Sequence, residues 1–158
     1  MVDVMAAEKR SALMSRIRGK NTGPELEVRQ MLWQAGLRYR LHVRELPGRP
    51  DIVLPKWRAV VFVHGCFWHM HEGCPLFRLP ATRTAFWLEK LESNRSRDQT
   101  AIQALASAQW RVTVVWECAL NRDRVLAGKH LVRWIRSDAQ SMQLLAAQPP
   151  KNVLASAF

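Results

Sequence analysis

The order of hydrophobic patterns in this chain predicts an α/β fold: helix, three strands, helix, strand, helix around a small mixed sheet. Three observations carry that prediction. The apolar period changes from helical to two at Leu37, a long helical pattern separates the third strand from the fourth, and 48% of the 158 residues are apolar. A chain of that size and composition is long enough for one domain with a real core.

Residues 6–18 carry Ala, Leu, Met and Ile among Lys and Arg at helical spacing, which reads as a basic amphipathic helix or arm. Asn21-Thr22-Gly23-Pro24-Glu25 starts the next helix, with Thr22 as cap and Pro24 and Glu25 in the first turn. Leu26, Arg29, Leu32 and Trp33 continue it until Gly36 ends it. Leu37, Tyr39 and Leu41 then alternate with Arg38, Arg40 and His42, the pattern of a half-buried strand. Pro47-Gly48-Arg49-Pro50 is a turn. Residues 51–54 and 58–63 follow as two more strands, split by Pro55-Lys56 to complete a meander. After a loop rich in cysteine and histidine, Thr84 opens a long helix through Phe86, Leu88, Leu91, Ile102 and Leu105. A helix of that length lets residues 111–116 lie parallel to an earlier strand through a right-handed crossover. Residues 122–136 form the last helix. The organisation expected is a basic arm at 1–20, a main domain at 21–140 and a C-terminal tail at 141–158.

Lys and Arg total 24 against 13 Asp and Glu, a formal charge of +11. The basic residues are spread from Lys9 to Lys20, Arg38 to Arg49, Arg78 to Arg83 and Arg95 to Arg97, so a folded basic surface is implied. A polyanion is the expected partner, with nucleic acid first. No segment approaches the roughly 18 uninterrupted apolar residues of a membrane span, and no secretory pattern is visible, so a cytoplasmic protein is expected. In that compartment thiols stay reduced, and three cysteines near histidines suit metal ligation better than a disulfide framework.

The run His64-Gly65-Cys66-Phe67-Trp68-His69-Met70-His71-Glu72-Gly73-Cys74 holds two of the three cysteines and three of the five histidines. With Cys118 it offers a four-ligand zinc site. Spacing leaves the imidazole open between His69 and His71, and the other would be free for catalysis. Asp51, at the start of an apolar strand, is the candidate carboxylate for a divalent cation. The following strand ends Phe62-Val63-His64 and carries no second acid, so a cation there would draw on a backbone carbonyl such as that of Val63, on water and on histidine. His64 and His69 bracket the strand end, and imidazole can act as general base near neutral pH. On the long helix Trp87, Lys90, Asn94 and Asp98 fall within an arc of about 80° and share one face. Phe67-Trp68 could pack in the core or wedge between base pairs.

Taken in order, Gly48-Arg49-Pro50-Asp51, His64 to His69, Ala81-Thr82-Arg83-Thr84, Phe86-Trp87, Asn94, Arg97-Asp98 and Val115-Trp116-Glu117-Cys118 make the chain resemble the very-short-patch repair (Vsr) endonucleases. The resemblance runs from about residue 8 to 136. It implies a restriction-endonuclease-like core, a structural zinc, and magnesium-dependent nicking of duplex DNA 5′ to the thymine of a T:G mismatch. It also implies roles. Asp51 would bind Mg2+ with the carbonyl of Val63, His69 would be the general base, Glu25 and His64 would assist, and Asp98 would act through water. Cys66, His71, Cys74 and Cys118 would hold Zn2+. Phe67, Trp68 and Trp87 would insert beside the mismatch, Lys90 and Asn94 would read it, and Met14 would centre an arm gripping the opposite groove. The implied partners are double-stranded DNA, the mismatch-repair protein MutL and a repair polymerase, with the protein itself a monomer used at the nucleoid. Val63 stands where some relatives have threonine, and the His71 to Cys74 interval is one residue longer than in some. Two other classes share these residues: a zinc-stabilised DNA-binding module without catalysis, and a restriction-type nuclease of different specificity.

Overall fold

The computed structural model describes Lys9, residues 19–140 and residues 142–144. The expected basic arm, with Met14, lies almost wholly outside the described residues.

Helix α1 spans Gly23–Gln34. Its start is fixed twice: the Thr22 hydroxyl accepts from the Glu25 amide, and the Glu25 carboxylate reaches back to the Asn21 amide at 2.9 Å. Such reciprocal caps satisfy donors that a helix leaves orphaned. At the other end Gly36 adopts φ +80, and the Leu37 amide bonds back to the Leu32 carbonyl. Leu37 is thereby spent on closing the helix and sits in the core. For this reason β1 is only Arg40–Leu41, shorter than the alternation from Leu37 predicts.

β2 (Ile52–Leu54) and β3 (Ala59–His64) pair antiparallel around a short 3-10 turn at Pro55–Trp57. All six residues of β3 are buried. They alternate between two cores, with Ala59, Val61 and Val63 on one face and Val60 and Phe62 on the other. A strand covered on both faces reads as a continuous apolar run. Helix α2 (Thr84–Ser107) is the crossover that returns the chain to β4 (Arg111–Trp116), parallel to β3 in the register Ala59 to Arg111 through His64 to Trp116.

Helix α3 spans Glu117–Arg136, five residues earlier at its start than the periodicity predicts. It is broken at Asp123, whose backbone is extended and whose carboxylate caps the Leu126 amide at 2.9 Å. The predicted helix is therefore the part after this internal cap. The turn before it carries Cys118. A fifth strand, β5 (Met142–Leu144), adds parallel to β4, where the sequence reading had placed a tail. Three residues without turn signals are too short to register as a strand from periodicity. The sheet order is β1-β2-β3-β4-β5, antiparallel on one side of β3 and parallel on the other. Helices α1 and α3 cover one face, while Leu105 of α2 and the cysteines join the core of the other.

Candidate active site and metal centre

The strand ends converge on a cleft of about 940 Å³. Glu25 from α1, His42 after β1, Asp51 before β2, Val63 and His64 at the end of β3, Trp68 and His69 from the loop, Asp98 from α2 and Glu117 from α3 all line it. Lys20, Arg44 and Arg49 give its rim a positive charge.

Asp51 is held by the sheet itself. Its Oδ2 accepts the Val63 amide at 2.7 Å, across the β2–β3 pairing. Burial outweighs that bond and, with the nearby Glu25 carboxylate, pushes the Asp51 carboxyl up to about 7. His64 is buried at the strand end and stacks flat on His69, with ring centroids 3.7 Å apart and planes within 2°. Burial drives the His64 imidazole down to about 3, so it stays neutral beside His69. The other side of His69 is fixed from α2, where Asp98 Oδ2 lies 2.5 Å from its Nδ1.

A second cluster lies behind the same loop. Cys66, His71, Cys74 and Cys118 each present a donor atom, all within 4.8 Å of one another, and Cys118 Sγ stands 3.3 Å from His71 Nδ1. Ligands of a tetrahedral zinc at 2.0–2.3 Å are about 3.3–3.8 Å apart, so donor chemistry and spacing fit such an ion. The loop is shaped by its own backbone, as the His71 amide bonds to the Cys66 carbonyl at 3.0 Å and the Cys74 amide to the His71 carbonyl. Burial pushes the Cys66 thiol up to about 11, raises that of Cys118 as well, and lowers the His71 imidazole. Without a cation, burial thus favours the neutral forms of Cys66, Cys118 and His71. The geometry groups His71 with the thiols and turns His69 to Asp98, a choice that spacing left open.

Comparison with known proteins is consistent with this layout. Residues 2–76 match the family model DNA mismatch endonuclease Vsr. The chain is 43% identical over 148 residues to DNA mismatch endonuclease Vsr of Escherichia coli (strain K12), covering 91% of this chain and 94% of that one. The chain belongs to the Vsr family. It is also 52% identical over 121 residues to type II nicking enzyme V.XorIIP of Xanthomonas oryzae pv. oryzae, across 77% of this chain and 88% of the relative. Type II nicking enzyme V.NmeAIP of Neisseria meningitidis is 41% identical over 136 residues, across 86% and 96%.

The aromatic residues by which the chain resembles the Vsr family form one cluster. Phe67, Trp68 and Trp87 meet edge to face, with centroids 5.1 to 6.1 Å apart, and the Lys90 ammonium lies 5.6 to 5.7 Å from the two indole centroids. All three rings are half-buried. Asn94 is engaged within the chain: its amide donates to the Trp68 carbonyl at 3.2 Å, and its oxygen accepts from Arg97. Three residues, two of them in the cleft, were not anticipated as site residues. His42 comes within reach of Glu25 and Asp51 only through the β1–β2 register, in which Leu41 faces Ile52. Glu117 accepts the Cys66 amide at 3.3 Å and so ties the loop to α3. Trp116 stacks on His71 at 4.0 Å and meets His64 edge-on at 5.2 Å, spanning the two clusters. Its place opposite His64 comes from the parallel β3–β4 register, which no local pattern gives.

Proposed function

We propose that this protein is an endonuclease that nicks duplex DNA on the 5′ side of the thymine in a T:G mismatch, the lesion left by deaminated 5-methylcytosine, and so opens a short repair patch. One observation carries the reading: Asp51 and the His69–Asp98 pair line one basic cleft, with the aromatic cluster at its edge. Family membership supports the same class of reaction.

Asp51 and the carbonyl of Val63 would hold Mg2+, and the burial that raises the Asp51 carboxyl makes a cation the natural partner of its ionised form. When bound, Mg2+ supplies Lewis-acid polarisation of the scissile phosphate and neutralises developing charge. His69 is the general base. With Nδ1 donating to Asp98, its Nε2 keeps the lone pair that takes a proton from the attacking water. His64, neutral and stacked on His69, holds that ring in plane without adding positive charge. Glu25 assists from α1 through ordered water.

Cys66, His71, Cys74 and Cys118 would hold a structural Zn2+ that fixes the loop bearing Phe67, Trp68 and His69. Phe67, Trp68 and Trp87 would enter the stack beside the mismatch, where a mispaired step unstacks at lower energy. Lys90 and Asn94 would read the mismatch, and Met14 would sit on the arm in the opposite groove. The protein would act as a monomer in the cytoplasm, at the nucleoid, with MutL and a repair polymerase taking up the nick.

A nicking assay with Mg2+ on matched T:G and T:A duplexes tests this. Wild type should cut one strand of the T:G duplex only, and His69→Ala should lose about 10²–10⁴-fold in rate. Tight binding with no cleavage at any Mg2+ concentration would leave only a DNA-binding module, and equal cutting of the paired duplex would remove the mismatch requirement.

A further inference from the structure

Four aromatic rings run in an unbroken column from the Cys–His cluster to the proposed general base. His71 stacks on Trp116, with centroids 4.0 Å apart and planes within 7°. Trp116 meets His64 at 5.2 Å and 76°, and His64 lies flat on His69 at 3.7 Å and 2°. Asp98 closes the column at Nδ1 of His69. The outer rings belong to the cluster and to the cleft, and Trp116 joins them.

Three features give Trp116 a task beyond filling the core. The parallel register sets it directly opposite His64, and two residues on Cys118 presents its thiol to the cluster, so the end of β4 is tied to both sites. A flat, face-to-face pair of rings is not self-supporting, because aromatic rings prefer offset or edge-to-face contact. The stack of His64 on His69 therefore needs a third group to set its plane, and the edge-to-face contact of Trp116 with His64 has the favoured geometry. Finally, Trp116 is 8% exposed, and its Nε1 has no hydrogen-bond partner among the described residues. A buried indole N–H normally has one, and leaving it unpaired is unfavourable. Leucine or phenylalanine would fill apolar space there without that penalty. What they lack is a surface long enough to touch both His71 and His64.

We propose that Trp116 is a positioning residue for the nicking reaction: its indole takes its place from the ring of His71 and sets the plane of His64, and through it the aim of His69. The inference rests on the reading of His69 as general base and of the Cys–His cluster as a zinc centre. Buried as it is, Trp116 acts on the reaction only through its neighbours, so its removal should change the rate of the bound complex and leave DNA binding alone.

The test uses full-length, zinc-loaded protein with Trp116→Phe and Trp116→Leu. Zinc content, kcat and KM on a T:G duplex with Mg2+, and the histidine ring signals in nuclear magnetic resonance are read for each. Both variants should retain zinc, keep KM within about twofold and lose about 10–100-fold in kcat, with Phe the milder change. The ring signals of His69 should move in both. In a His64→Ala background Trp116→Phe should lower the residual kcat by less than about twofold, because the two residues act as one unit. An unchanged kcat, unmoved His69 signals, loss of zinc, or a full loss of rate in the His64→Ala background would each overturn the proposal. Where a variant fails to fold, the wild type decides: exchanging Zn2+ for the larger Cd2+ displaces His71 and should move the signals of the Trp116 indole, His64 and His69, and a still His69 overturns it. Nicking by His69→Ala at the wild-type rate would remove the base assignment and the proposal with it, a failure told apart because the His69 signals of the Trp116 variants would still move.

Discussion

The two donor clusters on either side of the loop after β3 make an instructive pair. Both bury titratable groups, and in both burial drives the groups toward their neutral forms: Cys66 up to about 11 in one, Asp51 up to about 7 and His64 down to about 3 in the other. Their surroundings differ. The thiols of Cys66, Cys74 and Cys118 are enclosed in the core among Phe62, Trp116 and Leu105, while Asp51 and His69 open onto a cleft. The same electrostatic tension therefore has two uses. In the closed cluster a cation would convert it into folding energy, and in the open one it would be available to a substrate and a dissociable ion.

The sharpest way to break this comparison is to remove a thiol. Zinc bound by such a donor set contributes on the order of 10–16 kcal/mol in small zinc-binding domains, comparable to the whole stability of a typical domain. Cys118→Ser should lose zinc, read by metal analysis, and should melt at a much lower temperature than wild type. Because Cys118 starts α3 while Cys66 and Cys74 flank His69 in the loop, nicking should vanish with it. A variant that keeps its melting temperature and its rate without zinc would show that the cluster is ordinary packing of small apolar side chains.

Asp51→Asn should behave in the opposite way, with less activity and more stability. Removing the carboxylate proposed to hold the cation should forfeit several kcal/mol of charge stabilisation, on the order of a thousandfold in rate. The stability sign follows from the folded carboxyl lying near 7, above its ordinary 3.8. A group raised on folding stabilises fully below its unfolded value, and that contribution is lost as pH rises through 7. Zinc-loaded protein without Mg2+ should thus melt no lower than Asp51→Asn at pH 4 and clearly lower at pH 8. Each kcal/mol recovered by the variant raises the melting temperature by about 2–4 °C in a chain of this size. Adding Mg2+ at pH 8 should close the gap by stabilising wild type alone. A gap independent of pH would mean that the charge on Asp51 is not what the fold resists.

How much of this was legible in the sequence depends on the range of the interaction. β3 and β4 were legible because strands buried on both faces leave unbroken apolar runs, and Asp51 stood out as a carboxylate at the edge of one. The cysteines and histidines were legible as a cluster, yet His69 and His71 lie three and five residues past Cys66, and either can turn back in a short loop. The backbone bonds of the loop and the contacts of each ring, His71 with Cys118 and His69 with Asp98, separate them. β1 was overextended because alternation at Leu37 is equally satisfied by closing a helix at Gly36. In the sequence Arg29 reads only as part of a helix, and His42 as the polar side of a strand. Their meeting depends on how α1 docks against the end of β1, which no local pattern encodes.

The gentlest probe of the open cluster is Asp98→Asn. Asp98 contributes through position and charge: its Oδ2 lies 2.5 Å from Nδ1 of His69, and both side chains are about a quarter exposed. An asparagine in the same rotamer still offers an oxygen to the Nδ1 proton, so the ring should keep its tautomer and its stack on His64. The negative charge that, under the proposed general-base role of His69, would favour the protonated ring is lost. Changes to partners that orient an imidazole in this way typically reduce activity about 10–100-fold. The nicking rate should fall by that amount with little change in the concentration of T:G duplex giving half-maximal rate, and the melting temperature should hardly move because the pair is solvent-screened. Asp98→Ala, which leaves Nδ1 without an acceptor, should be slower than Asp98→Asn. Equal rates for the two would mean that Asp98 supplies charge alone, and that the stack on His64 suffices to hold His69 in place.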